Sequence, residues 1–331
     1  MANVVRRERN VETRSSRSCG VRYRNLILFL VLALVWGSSF MAIKAGLEYF
    51  PPVLYAAVRY DIAGIVMLGY AWYVLDDPIP RTRGEWLLVL IGAVFLIAAY
   101  HSLLFIGEKN EAVTSASAAI IVSLSPVLTT ACARVMLPSE RLEPIGLAGL
   151  VLGLVGVGVL VRPDPSNLLS ADVLANLLIF AAALAFAFGT VLMRRLDATL
   201  HIESLEAWSM LGGALLMHGI SLAIGESPTG ITLTIEAIAA IGYLSLFSSA
   251  LGFLIYFDLL AQLGPIEINL VSYVAPLFAA IAGFLFLDEG ITTATTVGFL
   301  IIVAGFALIK RETIRREVNS LRATSMAQSD D

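Results

Sequence analysis

The sequence has little charge. Asp, Glu, Lys and Arg make up 15% of its 331 residues, whereas 58% are hydrophobic, and the mean hydropathy is +0.84. Soluble globular domains carry about 25% charged residues, so this composition excludes an ordinary soluble fold and predicts that the lipid bilayer surrounds most of the chain. The formal net charge of −4 implies neither nucleic acid nor an acidic protein as a partner.

Cysteine and histidine are scarce, and the motifs of common cofactor sites are missing. Two cysteines, Cys19 and Cys132, are too few for a disulfide framework or a cysteine-based metal cluster. The three histidines form neither HExxH nor a His/Cys/Asp cluster, so we predict no metal site and no cofactor. GxxxxGK[ST] does not occur, so the energy for any transport would come from a proton, an ion or exchange.

Long apolar runs are what the sequence does have. The first uncharged run, Leu26 to Ile43, has 18 residues, and as a helix it would be about 27 Å long, close to the thickness of a hydrocarbon layer. The runs are continuous rather than alternating with a period of two, which favours helices over a barrel. We therefore predict an all-α membrane protein with ten transmembrane helices, spans 1 to 10, at residues 25–45, 53–75, 86–106, 113–136, 144–161, 172–193, 204–224, 236–257, 265–287 and 292–309.

Lysine and arginine are distributed unevenly around these spans. If the N-terminus is cytoplasmic, 18 of the 22 basic residues lie at the cytoplasmic ends of the spans, which is the pattern that sets orientation in membranes. The sequence therefore predicts that both termini are inside. Residues 1–24 are expected to form a disordered basic arm, and residues 311–331 a polar tail.

The two halves of the chain repeat each other at an offset of about 150 residues. The aligned pairs include Trp36 with Phe186, Lys44 with Arg194, Pro126 with Pro276, and, at an offset of 149, Glu140 with Glu289. These matches indicate two homologous units of five spans, residues 25–161 and 172–310. Because five is odd, the second unit enters the membrane from the opposite side, so we expect an inverted repeat that rocks around a midplane cavity.

Prolines sharpen this expectation. Pro126 and Pro276 fall inside spans 4 and 9, where each removes a hydrogen bond and frees the carbonyl four residues earlier, at Val122 and Ser272. A freed carbonyl is tolerated at membrane depth when it lines a wet cavity, so matched helix breaks point to such a cavity. In the alternative, both prolines are packing kinks whose neighbouring serines satisfy the backbone.

Several stretches resemble the drug/metabolite transporter superfamily, in particular its EamA-type members. The resemblance lies in VWGSSFMAIKAG and AAVRYDIAG in the first two spans, in LLFIGEKNEAVTSASAAIIVSLSPVLTTACARVMLPSERL, and in YFDLLAQLGPIEINLVSYVAPLFAAIAGFLFLDEGIT in the second half. It covers about residues 25 to 310. It implies a transporter fold whose central cavity is lined mostly by spans 1, 3, 4, 6, 8 and 9.

Aromatic and small hydroxyl residues of those spans are the candidate substrate site. They are Trp36, Ser39, Tyr100, Ser123, Phe186, Tyr256 and Ser272. For Trp36 and Ser39, packing against span 6 is an equal alternative to lining the cavity. The mixture of aromatic and hydroxyl groups suggests an uncharged or zwitterionic cargo.

Four titratable residues are candidates for gating or coupling. Arg59 and Asp61 lie within span 2, where an unpaired charge costs about 2.5–3.5 kcal/mol on insertion scales, so both need partners. They point to different sides of the helix, and we expect Arg59 to meet a carboxylate or carbonyls and to act in gating rather than in cargo binding. His101 is either a satisfied helix contact or a proton carrier. Three interpretations of Glu267 are open. It lies in the headgroup zone, it forms the inner mouth of the pathway, or it is a carboxylate that takes up a proton and couples this to transport.

Small and charged residues at the helix ends have structural interpretations. Gly37, Ser38 and Ser39 should allow close helix packing, and Lys44 should snorkel to the outer interface, with substrate anchoring as the alternative. Each of the paired glutamates, Glu140 and Glu289, should cap the helix that follows it. The glycines of span 5 favour packing within the bundle, although a homodimer through this face is also open.

The sequence therefore predicts a secondary transporter, an exporter of a small amino-acid-like or otherwise amphipathic metabolite that works by alternating access. A polytopic membrane enzyme is the rival, with Glu108, Lys109 and Glu111 as a thin cluster of candidate groups. A membrane scaffold without transport activity is the third possibility.

Overall fold

The computed structural model describes the backbone of residues 2–137, 144–162, 167, 169–263, 268, 270–309 and 311, and the side chains from Tyr23 onward except 144–147 and 309. Within these residues all regular structure is helical and no strand occurs, which confirms the all-α prediction. Glu140, Glu267 and the polar tail of residues 312–331 lie outside the described residues. The side chains of residues 2–22 also lie outside the described part of the structure. The disorder expected of the basic arm, residues 1–24, therefore stays a prediction.

The helices follow one another with short connections. In chain order they are α1 (Ala2–Gly46), α2 (Pro52–Val74), α3 (Arg83–Ile91), α4 (Tyr100–Glu108), α5 (Ser115–Val122), α6 (Ser125–Met136), α7 (Pro144–Val161), α8 (Ala171–Met193), α9 (Ile202–Ala223), α10 (Ile235–Gly242), α11 (Gly252–Leu263), α12 (Val271–Leu287) and α13 (Thr293–Ile309). A π-helical segment, Gly92–Ala99, joins α3 to α4, and another, Tyr243–Leu251, joins α10 to α11.

Six helical stretches of the described chain are long and apolar enough to cross a membrane, and three shorter helices are also apolar. The long ones are Tyr23–Gly46, Pro52–Val74, Arg83–Glu108, Ser115–Met136, Ala171–Met193 and Ile235–Leu263. Many of their large apolar side chains are exposed on the outside of the bundle, as a lipid solvent requires.

The helices of the two halves pack in corresponding pairs. The second helices of the two halves, α2 and α9, pack against each other. The last helices of the two halves, α7 and α13, do the same. α1 packs on α11 and α12 of the second half, and α8 packs in the same way on α4 and α6 of the first half. The π-helical segments also lie at equivalent places. This arrangement is the one expected of two similar units related by an approximate two-fold axis.

The two prolines differ in their local structure. At Pro126 the helix is interrupted, since α5 ends at Val122 and α6 begins at Ser125, and the hydroxyl of Ser125 donates to the carbonyl of Val122 over 2.7 Å. At Pro276, contrary to the expected break, α12 continues through the proline. A proline removes one hydrogen bond but does not oblige a buried transmembrane helix to end.

Glycines allow the closest helix approaches. A β-carbon at Gly37 of α1 would overlap the carbonyl oxygen of Ala275 and lie 2.7 Å from Cβ of Phe278, both on α12. Gly156 of α7 packs in the same way on α13, where a β-carbon would lie 2.8 Å from the carbonyl oxygen of Gly298. This part of the glycine face of α7 is therefore used inside the bundle, and the homodimer stays a prediction.

Candidate functional site

Trp36 and Tyr256, both predicted for the substrate site, lie together. Their ring centroids are 5.4 Å apart, and Phe253 packs edge-on against Trp36 at 5.8 Å. The indole Nε1 of Trp36 donates to the carbonyl of Ser248 over 3.1 Å, in the second π-helical segment. Trp36 therefore packs against the third spanning stretch of the second half and not against span 6, because α1 crosses α11 rather than α8.

Tyr100 and Phe186 form a second aromatic pair, with ring centroids 5.5 Å apart. Tyr100 also packs edge-on against His101 at 4.5 Å. Nε2 of His101 is 2.7 Å from the hydroxyl of Tyr60, and Nδ1 is 3.0 Å from the carbonyl of Ile97, so both ring nitrogens of this buried histidine have partners. This geometry is that of a satisfied contact between α2 and α4.

Arg59 lies between the two aromatic groups. Its side chain is 5% exposed, its Nε donates to the hydroxyl of Ser249 over 3.1 Å, and a terminal nitrogen donates to the hydroxyl of Ser248 over 3.2 Å. The guanidinium carbon lies 5.0 Å from the centre of the Tyr60 ring. Its hydrogen-bond partners are thus hydroxyls, and the expected carboxylate or carbonyl partner is absent among the described residues, because α2 faces the serines of the π-helical segment at this depth.

A continuous chain of contacts therefore connects the two halves through Arg59. It runs from Tyr256 and Trp36 to Ser248, then through Arg59 and Tyr60 to His101, Tyr100 and Phe186. We name these residues the central contact chain. Four of its members, Trp36, Tyr100, Phe186 and Tyr256, were predicted from the sequence for the substrate site. Each of these four comes from one of the spans assigned to the cavity.

The predicted serines are less well placed to bind a cargo. Ser39 donates to the carbonyl of Trp36 over 2.6 Å, and Ser123 donates to the carbonyl of Ile120 over 2.7 Å, so each hydroxyl bonds its own helix. Ser272 is half-buried on α12, next to Val271 and Val274, which pack in one apolar cluster with Trp36. Ser272 is therefore the one of the three that lies beside the central contact chain without a described hydrogen bond.

The side chains of Asp61 and Lys44 both have hydrogen-bond partners. Oδ2 of Asp61 is 2.7 Å from Nε2 of His218 on α9, so Asp61 does not bond Arg59, as expected from their spacing on α2. Nζ of Lys44 donates to the carbonyls of Asn110 (3.1 Å) and Val113 in the connection between α4 and α5. Lys44 therefore reaches the α4–α5 connection near the end of α1, and its snorkelling to the outer interface stays a prediction.

Sequence reasoning missed Tyr60, Ser248 and Ser249. One signal was available, since FSSALG of the second π-helical segment repeats the small, hydroxyl-rich pattern of WGSSF in the first span. It also underestimated Glu108, which is 1% exposed and whose two carboxylate oxygens have no hydrogen-bond partner among the described residues.

Polar contacts join the two halves near both ends of the bundle. Arg24 of α1 and Asp258 of α11 form an ion pair of 2.6 Å, which we name the inner tie after the orientation predicted from the sequence. At the opposite end Nδ2 of Asn110, just after α4, donates to Asp172 of α8 over 3.1 Å, the outer tie. The two ties join equivalent helices of the two halves, and both are formed in this structure.

Glu289 caps a helix, but not the one that follows it. Its carboxylate accepts from the backbone nitrogen of Ser115 over 2.9 and 3.1 Å and from the hydroxyl of Ser115 over 3.1 Å. Ser115 begins α5, so the cap joins the two halves. The positive end of the helix dipole and the free N–H groups of α5 favour a carboxylate there.

A polar cleft of about 320 Å³ lies outside the spans, between the α2–α3 and α8–α9 connections. Its lining residues are Asp77, Ile79, Arg81, Glu85, Thr199, Leu200 and His201. The Arg81 side chain hydrogen-bonds to Asp77 and holds the pKa of that carboxyl below its usual range. Within the described residues no group of three His, Cys, Asp or Glu side chains is arranged to hold a metal ion.

Comparison with known proteins connects this geometry to a family. The model of the EamA-like transporter family matches the chain twice, over residues 24–162 and 173–311. The chain belongs to this family. As a member of the EamA-like transporter family it is a membrane transporter, and the resemblance stated from the sequence is confirmed.

Named relatives agree with this assignment. The uncharacterized inner membrane transporter YedA of Escherichia coli is 28% identical over 268 residues, which is 80% of this chain and 84% of YedA. The uncharacterized transporter YvbV of Bacillus subtilis is 28% identical over 286 residues (86% and 91%), and the protein PecM of Dickeya dadantii is 25% identical over 278 residues (83% and 89%). The EamA-like chain is a multi-pass protein of the cell membrane.

A solved structure supports the fold. One crystal structure with 21% sequence identity superimposes with a TM-score of 0.63 and covers 89% of this chain and 99% of its own. At this identity the likeness shows the arrangement of the helices alone.

Proposed function

We propose that this EamA-like protein is a secondary transporter that exports a small amphipathic metabolite by alternating access. Its two five-span units, residues 25–161 and 172–310, have inverted orientations, and both termini are cytoplasmic. The doubled family match and the corresponding helix pairs support the two units. The excess of Lys and Arg at one set of helix ends supports the orientation.

The central contact chain is the observation that carries the proposal. It is a row of aromatic and polar side chains between the halves, with a buried centre at Arg59, Tyr60, His101 and Ser248, and a carrier with inverted repeats binds its cargo at such a place. The π-helical segments bring Ser248 and Ser249 to one side and Tyr100 to the other. Single-turn π distortions within α-helices are frequent at functional sites.

The inner and outer ties are the gates in this proposal. Each joins the first helix of one half to the third spanning stretch of the other, so breaking one tie would open the central contact chain to one side of the membrane. Both ties are formed here, and in this proposal a conformation with both ties formed is the closed state between the two open ones. The free energy needed to break each tie is small, because both ties are partly exposed to solvent. A small free energy suits gates that open in every transport cycle.

The enzyme alternative has less support than transport. Lys109, one of the thin cluster of candidate catalytic groups, donates to the carbonyl of Leu47, and Glu111 is exposed, so the three side chains do not converge. Cofactor-free transport driven by a proton, an ion or exchange remains the proposal for energy.

Flux in proteoliposomes tests the proposal. The purified protein is screened with a metabolite mixture, and export is compared with S272W, which places an indole beside the central contact chain, and with L285W, which lies on the same helix with a 65% exposed, lipid-facing side chain. We expect wild-type and L285W vesicles to move the same compounds and S272W vesicles to lose most of the flux. Equal flux in all three, or in none, would contradict the proposed function.

A further inference from the structure

We propose that Arg59 binds the anionic group of the cargo, a carboxylate or a phosphate. This inference rests on the proposed function and names the chemistry of the molecule that the central contact chain receives. It replaces the gating role that the sequence favoured for Arg59.

The first step is the charge balance around Arg59. Arginine stays protonated in proteins, and no carboxylate forms an ion pair with this buried guanidinium in the part of the chain that the structure describes. Asp61, two residues away, bonds His218 instead. The hydroxyls of Ser248 and Ser249 accept hydrogen bonds but carry no charge, so they satisfy donors without neutralising the cation.

Glu108 is buried, but it is not a counterion of Arg59 at contact distance, because no ion pair joins the two side chains in the described part of the chain. Neither of its carboxylate oxygens has a hydrogen-bond partner among the described residues. It also lies seven positions beyond His101, about 10 Å further along the helix, whereas His101 is at the level of Tyr60, the residue next to Arg59.

The second step is the geometry of the guanidinium. Its two hydrogen bonds go to neighbouring serines of one helix, from Nε and one terminal nitrogen. A guanidinium has five N–H donors, and its planar fork matches carboxylate and phosphate oxygens in pairs. The serines hold the fork from one side and leave further donors for an anion.

The third step is location. Arg59 is the central member of the central contact chain, with Trp36 and Tyr256 on one side and Tyr100 and Phe186 on the other. A cargo with one anionic group and an apolar body would place the anion on the cation and the body against aromatic rings. Arg59 is 5% exposed in this closed structure, so the anion would enter only when one tie opens.

Binding of matched small probes to the purified full-length protein tests the inference without any flux measurement. The probes are acetate, hexanoate and phenylacetate, each paired with its amide, and phenyl phosphate, with the apparent melting temperature as the readout. We expect hexanoate or phenylacetate, or phenyl phosphate, to stabilise the wild type, and the amides not to. The stronger of the two classes identifies carboxylate or phosphate as the natural group.

Variants assign the effect to Arg59. R59Q should weaken anion binding about 10- to 100-fold, which corresponds to the free energy of a charged hydrogen bond. The affinity of R59K should lie between those of R59Q and the wild type, because lysine keeps the charge and loses the planar fork. The S248A/S249A double variant should weaken binding a few-fold. R81Q is the control, because Arg81 is exposed and already paired with Asp77. Without probe, R59Q should melt no lower than the wild type, since it removes a buried charge without a counterion.

Three results would overturn the inference. The first is that anionic probes stabilise R59Q as much as they stabilise the wild type. The second is that R59Q without probe melts at a lower temperature than the wild type. The third is that no anionic probe stabilises the wild type. A protein that binds anions through Arg59 and shows no flux would refute only the proposed function. A protein that exports metabolites with no dependence on Arg59 would refute only this inference.

Discussion

At the scale of single residues, Gly37 explains why the first apolar run is interrupted. A β-carbon there would meet the backbone of α12, and backbone cannot move aside as the end of a side chain can. The G37A variant should therefore lose about 1–3 kcal/mol, the cost of overpacking a well-packed contact. G69A is the matched control, because a β-carbon at Gly69 in α2 meets nothing within 4 Å.

The measurement is thermal unfolding of both variants in the same detergent. G37A should melt below the wild type, and G69A should melt at the wild-type temperature or slightly above it, since alanine favours helix over glycine. Equal melting of the two variants would show that α1 and α12 do not approach closely.

Glu289 makes a second prediction at this scale. E289A removes the carboxylate that accepts from the backbone N–H and the hydroxyl of Ser115 at the start of α5, and it should cost about 1–3 kcal/mol, because buried Ser115 loses a charged partner. E111A, at an exposed glutamate of the same outer face, is the control and should change the stability little. A cap on the following helix α13, as the sequence predicted, would leave α5 as protected in E289A as in the wild type when amide hydrogen exchange is measured.

At the scale of helices, the ties should control access to the central contact chain. D258A breaks the inner tie and should favour the conformation open to the cytoplasm, and D172A, which removes the oxygen that accepts from Asn110, should do the reverse. Accessibility is measured with S245C, whose side chain is buried in the π-helical segment, in a background without Cys19 and Cys132. Labelling by a charged maleimide from the cytoplasmic side should rise several-fold in D258A and not in D172A, whereas a lipid-facing L215C should be unaffected by either. Labelling that ignores both ties would remove their role as gates.

Helix content was predictable because the apolar runs are long and do not alternate with a period of two, and close packing was predictable at Gly37 because only small residues let helices approach. The partners of polar side chains were not predictable. Arg59 bonds Ser248 and Ser249, which are 189 and 190 residues away, and no periodicity in either helix shows which faces will meet. Lys44 bonds carbonyls of the connection between α4 and α5, because the path of the chain after α4 brings them within its reach. The sequence therefore identified four members of the central contact chain by residue type, but not the arginine's role within it.

At the scale of the whole molecule, the account is that two inverted halves rock about the central contact chain. Spin labels on Tyr23 and Gln262 report the inner ends of the first spanning stretch, Tyr23–Gly46, and of α11. Labels on Glu111 and Ala171 report the outer ends near α4 and α8, and all four side chains are exposed.

Distances between these labels, measured in lipid nanodiscs by pulsed electron resonance, test the central claim most directly. The account predicts opposite changes: D258A should lengthen the inner distance and shorten the outer one, and D172A should do the opposite. Distances that both lengthen, both shorten or stay fixed in the two variants would contradict alternating access between the two halves.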